Sequence, residues 1–274
     1  MGKGFKITLI ILLSIIAIAL TAILTLMLMR GTKFNLKFNL KFSDKLIEEK
    51  EIVDIKDLKI DTNIADVDIE TSDEEKVTVQ LYCDECEDSK IKETEEDIQI
   101  VLKDKKKTFR LFSKGPRIIV KVPKTYDKNI GIKGDVADVD IAPLKDATLN
   151  LDLTTGDLDA SDLNKANIKV TTGDIDIDNI NDLVCKATTG DIKARSINNH
   201  LEISVVTGDI KIERVNLNES SLIKTNTGDV KIEHTNNIYI EGKTNIGKAS
   251  INTNDRKSDV VLSIESNVGD IKVG

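Results

Sequence analysis

Residues 168–180 read Ile-Lys-Val-Thr-Thr-Gly-Asp-Ile-Asp-Ile-Asp-Asn-Ile, and this stretch decides the fold. Counted from Gly173, apolar residues stand at positions −5, −3, +2, +4 and +7, with polar residues between them. Successive side chains of a β-strand point to opposite faces, so a period of two on each side of a glycine predicts two short strands joined at a bend.

The same unit recurs along the second half of the chain. Most intervals between its Gly-Asp pairs are 17 to 22 residues, and Gly247-Lys248 divides the one interval of 41. The glycines of these pairs are Gly134, Gly156, Gly173, Gly190, Gly208, Gly228 and Gly269. Such a period predicts a solenoid, in which each strand pairs in parallel with the equivalent strand of the next coil. One coil alone buries too little apolar surface to offset its lost chain entropy, so the coils must stack.

The fold class predicted from this pattern is all-β. No segment after residue 30 has the 3.6-residue period of a long amphipathic helix, which disfavours βαβ folds. We expect a parallel β-solenoid (β-helix-like) over residues 134–274. Residues 46–133 should form an N-terminal irregular β region, either as earlier coils or as a cap. Asn63–Ile69 repeats Asp135–Ile141 almost residue for residue, which links this region to the repeats.

The start of the chain predicts a membrane anchor over residues 1–30, followed by a juxtamembrane linker over 31–45. From Ile7 to Met29 there are 23 residues without a charge, enough for one N-terminal transmembrane helix. A cleaved signal peptide, with Ala17-Ile18-Ala19 as the cleavage site, is the alternative. Basic residues flank the segment on both sides, so charge alone leaves the orientation open.

Composition argues against several partners. The 274-residue chain has a net charge of −8, yet residues 1–42 contain six basic and no acidic residues, so the rest is more acidic still. An acidic body is a poor binder of nucleic acid. Aromatic residues make up only 3% of the chain, which leaves few stacking platforms for sugars or bases.

The aspartates that follow the bend glycines are the first candidate site. Stacking would bring them into a column of like charges, where divalent cations could bridge neighbours. Alternatively, each carboxylate accepts a backbone N–H at the bend. We predict no catalytic and no cofactor-binding residues, and the weak metal hypothesis rests on Asp157, Asp174, Asp191, Asp209, Asp229 and Asp270.

Cysteine and histidine give weaker signals. Cys83 and Cys86 form a C-x-x-C within an acidic segment, without the second pair that structural zinc needs, and carboxylates disfavour a reactive thiolate. A local disulfide is a further option outside the cell. Cys185 stands at position −5 and should be buried. His200 and His234 lie in no catalytic or metal-binding spacing and are predicted to be surface imidazoles.

The Thr-Thr-Gly-Asp-Ile repeats, the preceding segment Ile118–Lys124 and the apolar N-terminus together resemble the "putative adhesin" family of β-strand-repeat proteins of unknown function. The chain is similar to its LiaG-type members from Gram-positive bacteria. This resemblance implies a single anchoring helix, an outward-facing repeat domain and a role in the cell-envelope stress response. It implies no catalytic residues.

These observations predict a non-enzymatic, membrane-anchored β-solenoid at the bacterial cell surface that acts as an adhesin or as a binding scaffold. Its expected partners are the membrane and a cell-wall polymer or envelope protein, with self-association through the C-terminal coil that ends at Val273-Gly274. A polysaccharide-active β-helix enzyme that uses paired carboxylates is one alternative. An anchored regulator of a membrane signalling system is another.

Overall fold

The structure is a computed structural model that describes residues 45–84, 86–105 and 115–274. Within these ranges the regular structure consists of 21 β-strands without a helix, which confirms the all-β prediction. The anchor predicted over Ile7–Met29 lies outside the described residues. Inside them, no helix has the length and apolar character that crossing a bilayer requires.

The strands divide the chain into short segments joined by tight bends. In chain order they are β1 (Leu46–Ile52), β2 (Asp57–Ile64), β3 (Asp66–Ser72), β4 (Val77–Tyr82), β5 (Cys86–Glu93), β6 (Asp97–Asp104), β7 (Arg117–Pro123), β8 (Asn129–Val136), β9 (Val139–Ile141), β10 (Leu144–Thr155), β11 (Leu158–Ala160), β12 (Leu163–Thr172), β13 (Ile175–Thr189), β14 (Ile192–Thr207), β15 (Ile210–Val215), β16 (Ser221–Thr227), β17 (Val230–Thr235), β18 (Tyr239–Ile246), β19 (Ala249–Ile251), β20 (Val261–Val268) and β21 (Ile271–Val273).

Two hydrogen-bonded ladders run the length of the stack. The first has the order β5-β6-β2-β8-β10-β12-β13-β14-β16-β20-β18, and the second the order β1-β4-β7-β3-β9-β11-β13-β14-β15-β17-β21-β19. The long strands β13 and β14 contribute their second halves to the first ladder and their first halves to the second. Pairing is parallel throughout, except for β1–β4, β4–β7 and β5–β6 at the N-terminal end. The predicted parallel stacking of coils is therefore observed.

The apolar positions counted from each glycine line the space between the two ladders. At position −5, Ile168 pairs in register with Leu151 on one side and with Cys185 on the other, and all three are buried. At position +2, Ile175 lies between Leu158 and Ile192 in the same way. Each buried aliphatic side chain contributes about 1.5–3 kcal/mol, so these columns hold the stack together.

The region before residue 134 combines regular coils with a cap. The coils that contain β2–β3 and β6–β7 continue the parallel stack, whereas the antiparallel strands β1, β4 and β5 cover its N-terminal end. The repeated sequence at Asn63–Ile69 and Asp135–Ile141 marks neighbouring coils, since Val67 pairs in register with Val139.

Gly134-Asp135 is not a bend pair, which corrects the sequence alignment. Gly134 pairs in register with Leu153 and therefore stands at position −3, inside the stack. The bend of that coil is at Ala137, whose N–H donates to the Thr155 carbonyl, and Asp138 follows it. Gly134-Asp135 lies three residues before the true bend position. It was counted as a repeat because an alignment on glycine alone does not test the flanking apolar positions.

The C-terminal coil is not the end of the stack, contrary to the expectation that it forms an open pairing edge. β20 lies between β16 and β18, and β21 lies between β17 and β19. The outermost coil is therefore the preceding one in sequence. Its edge is partly covered, because the Asn254 side chain accepts the Ile240 N–H and donates to the Ile240 carbonyl as a neighbouring strand would.

From Gly156 onward the bends require glycine by conformation and by space, whereas the bend at Ala137 is made without a positive φ. Seven bend glycines have φ between 143° and 153°, which side chains rarely adopt. A Cβ atom on any of them would collide with the backbone carbonyl oxygen of the adjacent coil, as Gly208 would with Gly190. The bend position therefore sets how closely the coils stack.

Gly208→Ala is predicted to lower the free energy of unfolding by at least about 2–3 kcal/mol, because the strained φ and the collision with the Gly190 carbonyl act together. Gly131→Ala is the matched control. A Cβ there would meet only the Leu58 carbonyl oxygen, at an ordinary 3.5 Å, so its stability should change little. Chemical denaturation of both variants measures the difference, and equal midpoints would contradict the prediction.

Candidate functional site

The aspartates after the bends form a hydrogen-bonded ladder along the stack. In each coil the Asp Oδ1 accepts the backbone N–H of the residue at the same position in the next coil. The bonds link Asp138, Asp157, Asp174, Asp191, Asp209, Asp229, Asp270 and finally Lys248, at 2.7–3.0 Å. The acceptor role expected from the sequence is thus present, although the donor belongs to the adjacent coil.

This ladder completes the backbone hydrogen bonding at the bend. Gly173 N–H bonds to the Thr189 carbonyl and Ile175 N–H bonds to the Asp191 carbonyl, so both flanking residues stay in the main ladder. The N–H of Asp174 between them bonds to the Asp157 carboxylate instead. These hydrogen bonds are exposed to solvent, where one such bond contributes about 0.5–1.5 kcal/mol net, which gives these side chains a structural role.

The metal hypothesis stays a prediction. Over residues 45–84, 86–105 and 115–274, no group of three or more His, Cys, Asp or Glu side chains has an arrangement that could hold a metal ion. One oxygen of each bend carboxylate is already engaged by a backbone N–H.

Asp191→Ala is predicted to destabilise the protein by about 1 kcal/mol, because the Asp209 N–H loses a solvent-exposed hydrogen bond to the carboxylate. Asp191→Asn keeps an oxygen in the same place and should stay within about 0.5 kcal/mol of the wild type. Thermal melts with calcium and with chelator separate the two roles: a structural ladder gives melting temperatures that do not respond to calcium. A calcium-dependent rise in the wild type, absent from Asp191→Asn, would support cation bridging.

The outward positions of the second ladder carry an acidic face. It comprises the outward side chains at positions +1, +3 and +5 in or beside β3, β9, β11 and the start of β13. These are Asp66, Asp68, Glu70, Asp138, Asp140, Asp157, Asp159, Asp174, Asp176 and Asp178. An open groove of about 310 Å³ runs along it. Cations border it at both ends, with Arg117 4.0 Å from Asp68 and Arg195 2.9 Å from Asp178.

Crowding changes the acidity of this face. Partial burial raises the pKa of Asp66, Asp68 and Asp159, and the negative charges of neighbouring aspartates raise it further. Asp140 acts on all three of these carboxyls. The folded protein therefore holds these groups in their charged form at a cost that the unfolded chain does not bear.

Asp66→Asn is predicted to raise the melting temperature at neutral pH, because the folded-state pKa of Asp66 lies above its unfolded value. The gain should shrink as the pH falls through that raised pKa and should vanish well below the unfolded-state value of about 3.9, where the wild-type carboxyl is protonated in both states.

Asp73→Asn is the control with the opposite sign. The hydrogen bond from Lys124 lowers the pKa of Asp73, so this carboxylate contributes stability that is present at neutral pH and lost as the pH falls through the lowered pKa. The variant should melt below the wild type at neutral pH and match it in strong acid. Melting curves between about pH 2 and 7.5 check both signs. Melting temperatures that shift in the same direction in both variants would contradict the opposite pKa shifts of Asp66 and Asp73.

The charge at position +3 changes sign halfway along the stack. The aspartate row, one residue per coil, is Asp68, Asp140, Asp159 and Asp176, and the lysine row that continues it is Lys193, Lys211, Lys231 and Lys272. A groove of about 600 Å³ lies along the lysine row. Glu233 is 2.8 Å from Lys231 and 3.7 Å from Lys211, and the hydrogen bond from Lys231 is the main cause of its lowered pKa.

These two rows were not predicted from the sequence, although the signal was present. Aligning the copies on their glycines showed the apolar positions, and position +3 of the same alignment reads Asp after Gly156 and Gly173 and Lys after Gly190, Gly208, Gly228 and Gly269. Only the stacking order shows that these residues form one continuous column.

The cysteines and histidines do not form one common cluster in the described residues. Cys83 and Cys86 form a disulfide between the end of β4 and the start of β5, which is the local option left open above. Cys185 is buried, as predicted, and burial raises the pKa of its thiol to about 12. His234 is exposed as expected, but His200 is partly buried, with Nδ1 3.4 Å from the Ser221 hydroxyl.

Ser221 and His200 do not form a nucleophile and its base. The Ser221 hydroxyl donates to the Glu219 carbonyl and accepts the Leu201 N–H, which occupies it in the backbone of the turn. This pair therefore stabilises a turn between coils.

Comparison with known proteins gives one family and several similar structures. A family model described as Toastrack DUF4097 matches residues 55–274. No curated protein matches the chain. A "putative adhesin" from Bacteroides fragilis is 18% identical, with a TM-score of 0.43, over 85% of this chain and 99% of its own.

Two further solved structures are similar at the same level. A "putative cell adhesion protein" from Clostridium sporogenes is 13% identical, with a TM-score of 0.27, over 82% of this chain and 98% of its own. A "putative lipid binding protein" from Parabacteroides distasonis is 15% identical, with a TM-score of 0.44, over 83% and 96%. Identities and TM-scores this low carry no argument about a ligand.

Proposed function

Because the chain belongs to the Toastrack DUF4097 family, whose model covers most of it, we propose that it is a non-enzymatic binding scaffold of the bacterial cell surface. Residues 7–29 anchor it in the membrane, and the stack of coils faces outward and binds an envelope component, such as a wall polymer or an envelope protein. The proposal is supported chiefly by the in-register rows of charge on the outer surface of the stack.

Regular rows of charge suit binding by many weak contacts. Neighbouring strands lie about 4.8 Å apart, so each row repeats its charge at that interval on a rigid support. A partner with a repeating or extended charged surface gains one contact per coil, and the contacts add without further ordering of the stack. The same regularity argues for binding over catalysis, since an enzyme needs a few convergent groups in an enclosed site.

The enzymatic alternative is weakened by what the carboxylates do. A glycosidase needs a carboxyl pair that is free to exchange protons and to flank a bond. The bend carboxylates, such as Asp174, instead accept backbone N–H groups. The position +3 carboxylates of Asp140, Asp159 and Asp176 line an open groove on the outer face and not an enclosed site.

The outward orientation is supported by the family resemblance and by the disulfide. A Cys83–Cys86 disulfide fits an oxidising compartment better than the cytosol. The apolar length of Ile7–Met29 supports the anchor.

The test uses the full-length chain with a C-terminal epitope tag in intact Gram-positive cells. External protease should remove the tag while a cytoplasmic control protein survives. Chemical cross-linking on the same cells should join the protein to an envelope component, and the variant Asp140→Asn with Asp159→Asn should be joined less. The proposal would be overturned if the tag were protected from protease until the cells are lysed. It would also be overturned if charge substitutions on the acidic face left the cross-linking unchanged.

A further inference from the structure

We propose that two copies of this chain pair through the outer surface of the second ladder, in antiparallel orientation, with the aspartate row of each on the lysine row of the other. This goes beyond the proposed scaffold role, because the partner is a second copy of the chain itself, which would occupy the rows in place of an envelope component.

The pairing follows from the order of charges in one column. From Asp68 to Lys272, eight successive coils present four negative and then four positive side chains in unbroken register. A two-fold axis that runs along the strands, between the coils of Asp176 and Lys193, reverses this order. It therefore places every charge of one copy opposite a charge of the other sign.

Four contacts are created, each of them twice. Asp176 faces Lys193 of the second copy, and Asp159 faces its Lys211. Further out, Asp140 faces Lys231 and Asp68 faces Lys272 of the second copy. The spacing matches without adjustment, because both columns are rows of the same β-stack and repeat at the same strand-to-strand distance of about 4.8 Å.

Much of this charge is uncompensated within one copy. Over the described parts of the chain, ion pairs within 4.0 Å reach Lys211 and Lys231 through Glu233, and Asp68 through Arg117. Asp140 and Asp159 are exposed and have no such ion pair there. Like charges directly opposite each other on neighbouring strands repel, and the opposite charges of a second copy would offset that repulsion.

The flanking columns define the limits of the contact. At position +5, Asp178 and Arg195 form an ion pair within one copy. In the pair of copies, Asp178 of each copy also faces Arg195 of the other, which adds to the attraction. At position +1 the bend aspartates face one another across the interface. Their Oδ1 atoms are turned along the stack to backbone N–H groups, and they lie at the corner of the coil, so the contact is centred on positions +3 and +5.

A second copy fits this surface better than a simple ion or a uniform polymer does. A polycation matches only the aspartate row and a polyanion matches only the lysine row. Parallel pairing of two copies would lay aspartates on aspartates and lysines on lysines. Antiparallel pairing is the arrangement in which all eight charges of the position +3 column are matched, so this column determines both the partner and its orientation.

The test is a charge swap in the full-length protein in detergent micelles. One variant carries Asp140→Lys with Asp159→Lys, and the other carries Lys211→Asp with Lys231→Asp. Energy transfer between donor- and acceptor-labelled copies measures association at about 20 mM salt, where surface charges are weakly screened. Each variant alone should associate at least about tenfold more weakly than the wild type, because like charges then face each other at four of the eight position +3 contacts.

Mixing the two variants restores the complementarity, so their association should return to within about threefold of the wild type. The control is Lys133→Asp with Lys186→Asp, two exposed lysines on the outer face of the first ladder, which should associate like the wild type. Circular dichroism melts confirm that each variant is folded, and salt should weaken the wild-type association steeply.

Three results would overturn the inference: no energy transfer in the wild type at low salt, association of the single variants at wild-type strength, or no recovery on mixing. If the copies associated through residues 7–29 instead, the single variants would associate at wild-type strength, because that contact does not depend on the charge rows. If the copies do not pair but cross-linking to an envelope component persists, only this inference fails. If the copies pair but cross-linking to an envelope component is absent, the proposed function fails instead.

Discussion

The close passage of one bend over the carbonyl group of the next is the contact on which the structure depends. Each bend glycine lies against the backbone oxygen of the adjacent coil, where a side chain would not fit. This contact lets the ladder continue around the corner, with Gly190 N–H on the Thr207 carbonyl and Ile192 N–H on the Asp209 carbonyl. It also turns the intervening N–H away from the ladder, which is why an aspartate follows the glycine in every regular coil but the outermost.

The same constraint explains the charged surface. Once the bends are in contact, every position of one coil is locked to the equivalent position of the next, and a one-residue slip would exchange inward and outward side chains. Aliphatic residues at −5, −3, +2 and +4 then form an interior, and whatever stands at +3 becomes a row. The row places like charges side by side. Burial is the main cause of the raised pKa of Asp159, and the neighbouring charges of Asp176 and Asp140 raise it further.

The sequence predicted what depends on local pattern and missed what depends on stacking order. Ile168, Ile175 and Cys185 were assignable to the interior because the period of two is a property of each strand. The out-of-register Gly134 and the position of β20 between β16 and β18 were not, since no local propensity states which coil neighbours which. The sign change along position +3 could have been read from the aligned copies, but it became a surface only when their spatial order was known.

The placement of β20 and β21 has a consequence for the order of folding. When the chain arrives N-terminus first in the compartment where it folds, Tyr239–Ile251 arrives before the strands against which it finally lies. The arriving chain must hold this coil off the stack, or release it from a provisional contact with β16 and β17, until Val261–Val273 can enter between them. Vectorial growth, coil upon coil, therefore suffices for the middle of the stack, whereas its last step is an insertion that must wait until residue 273 has arrived.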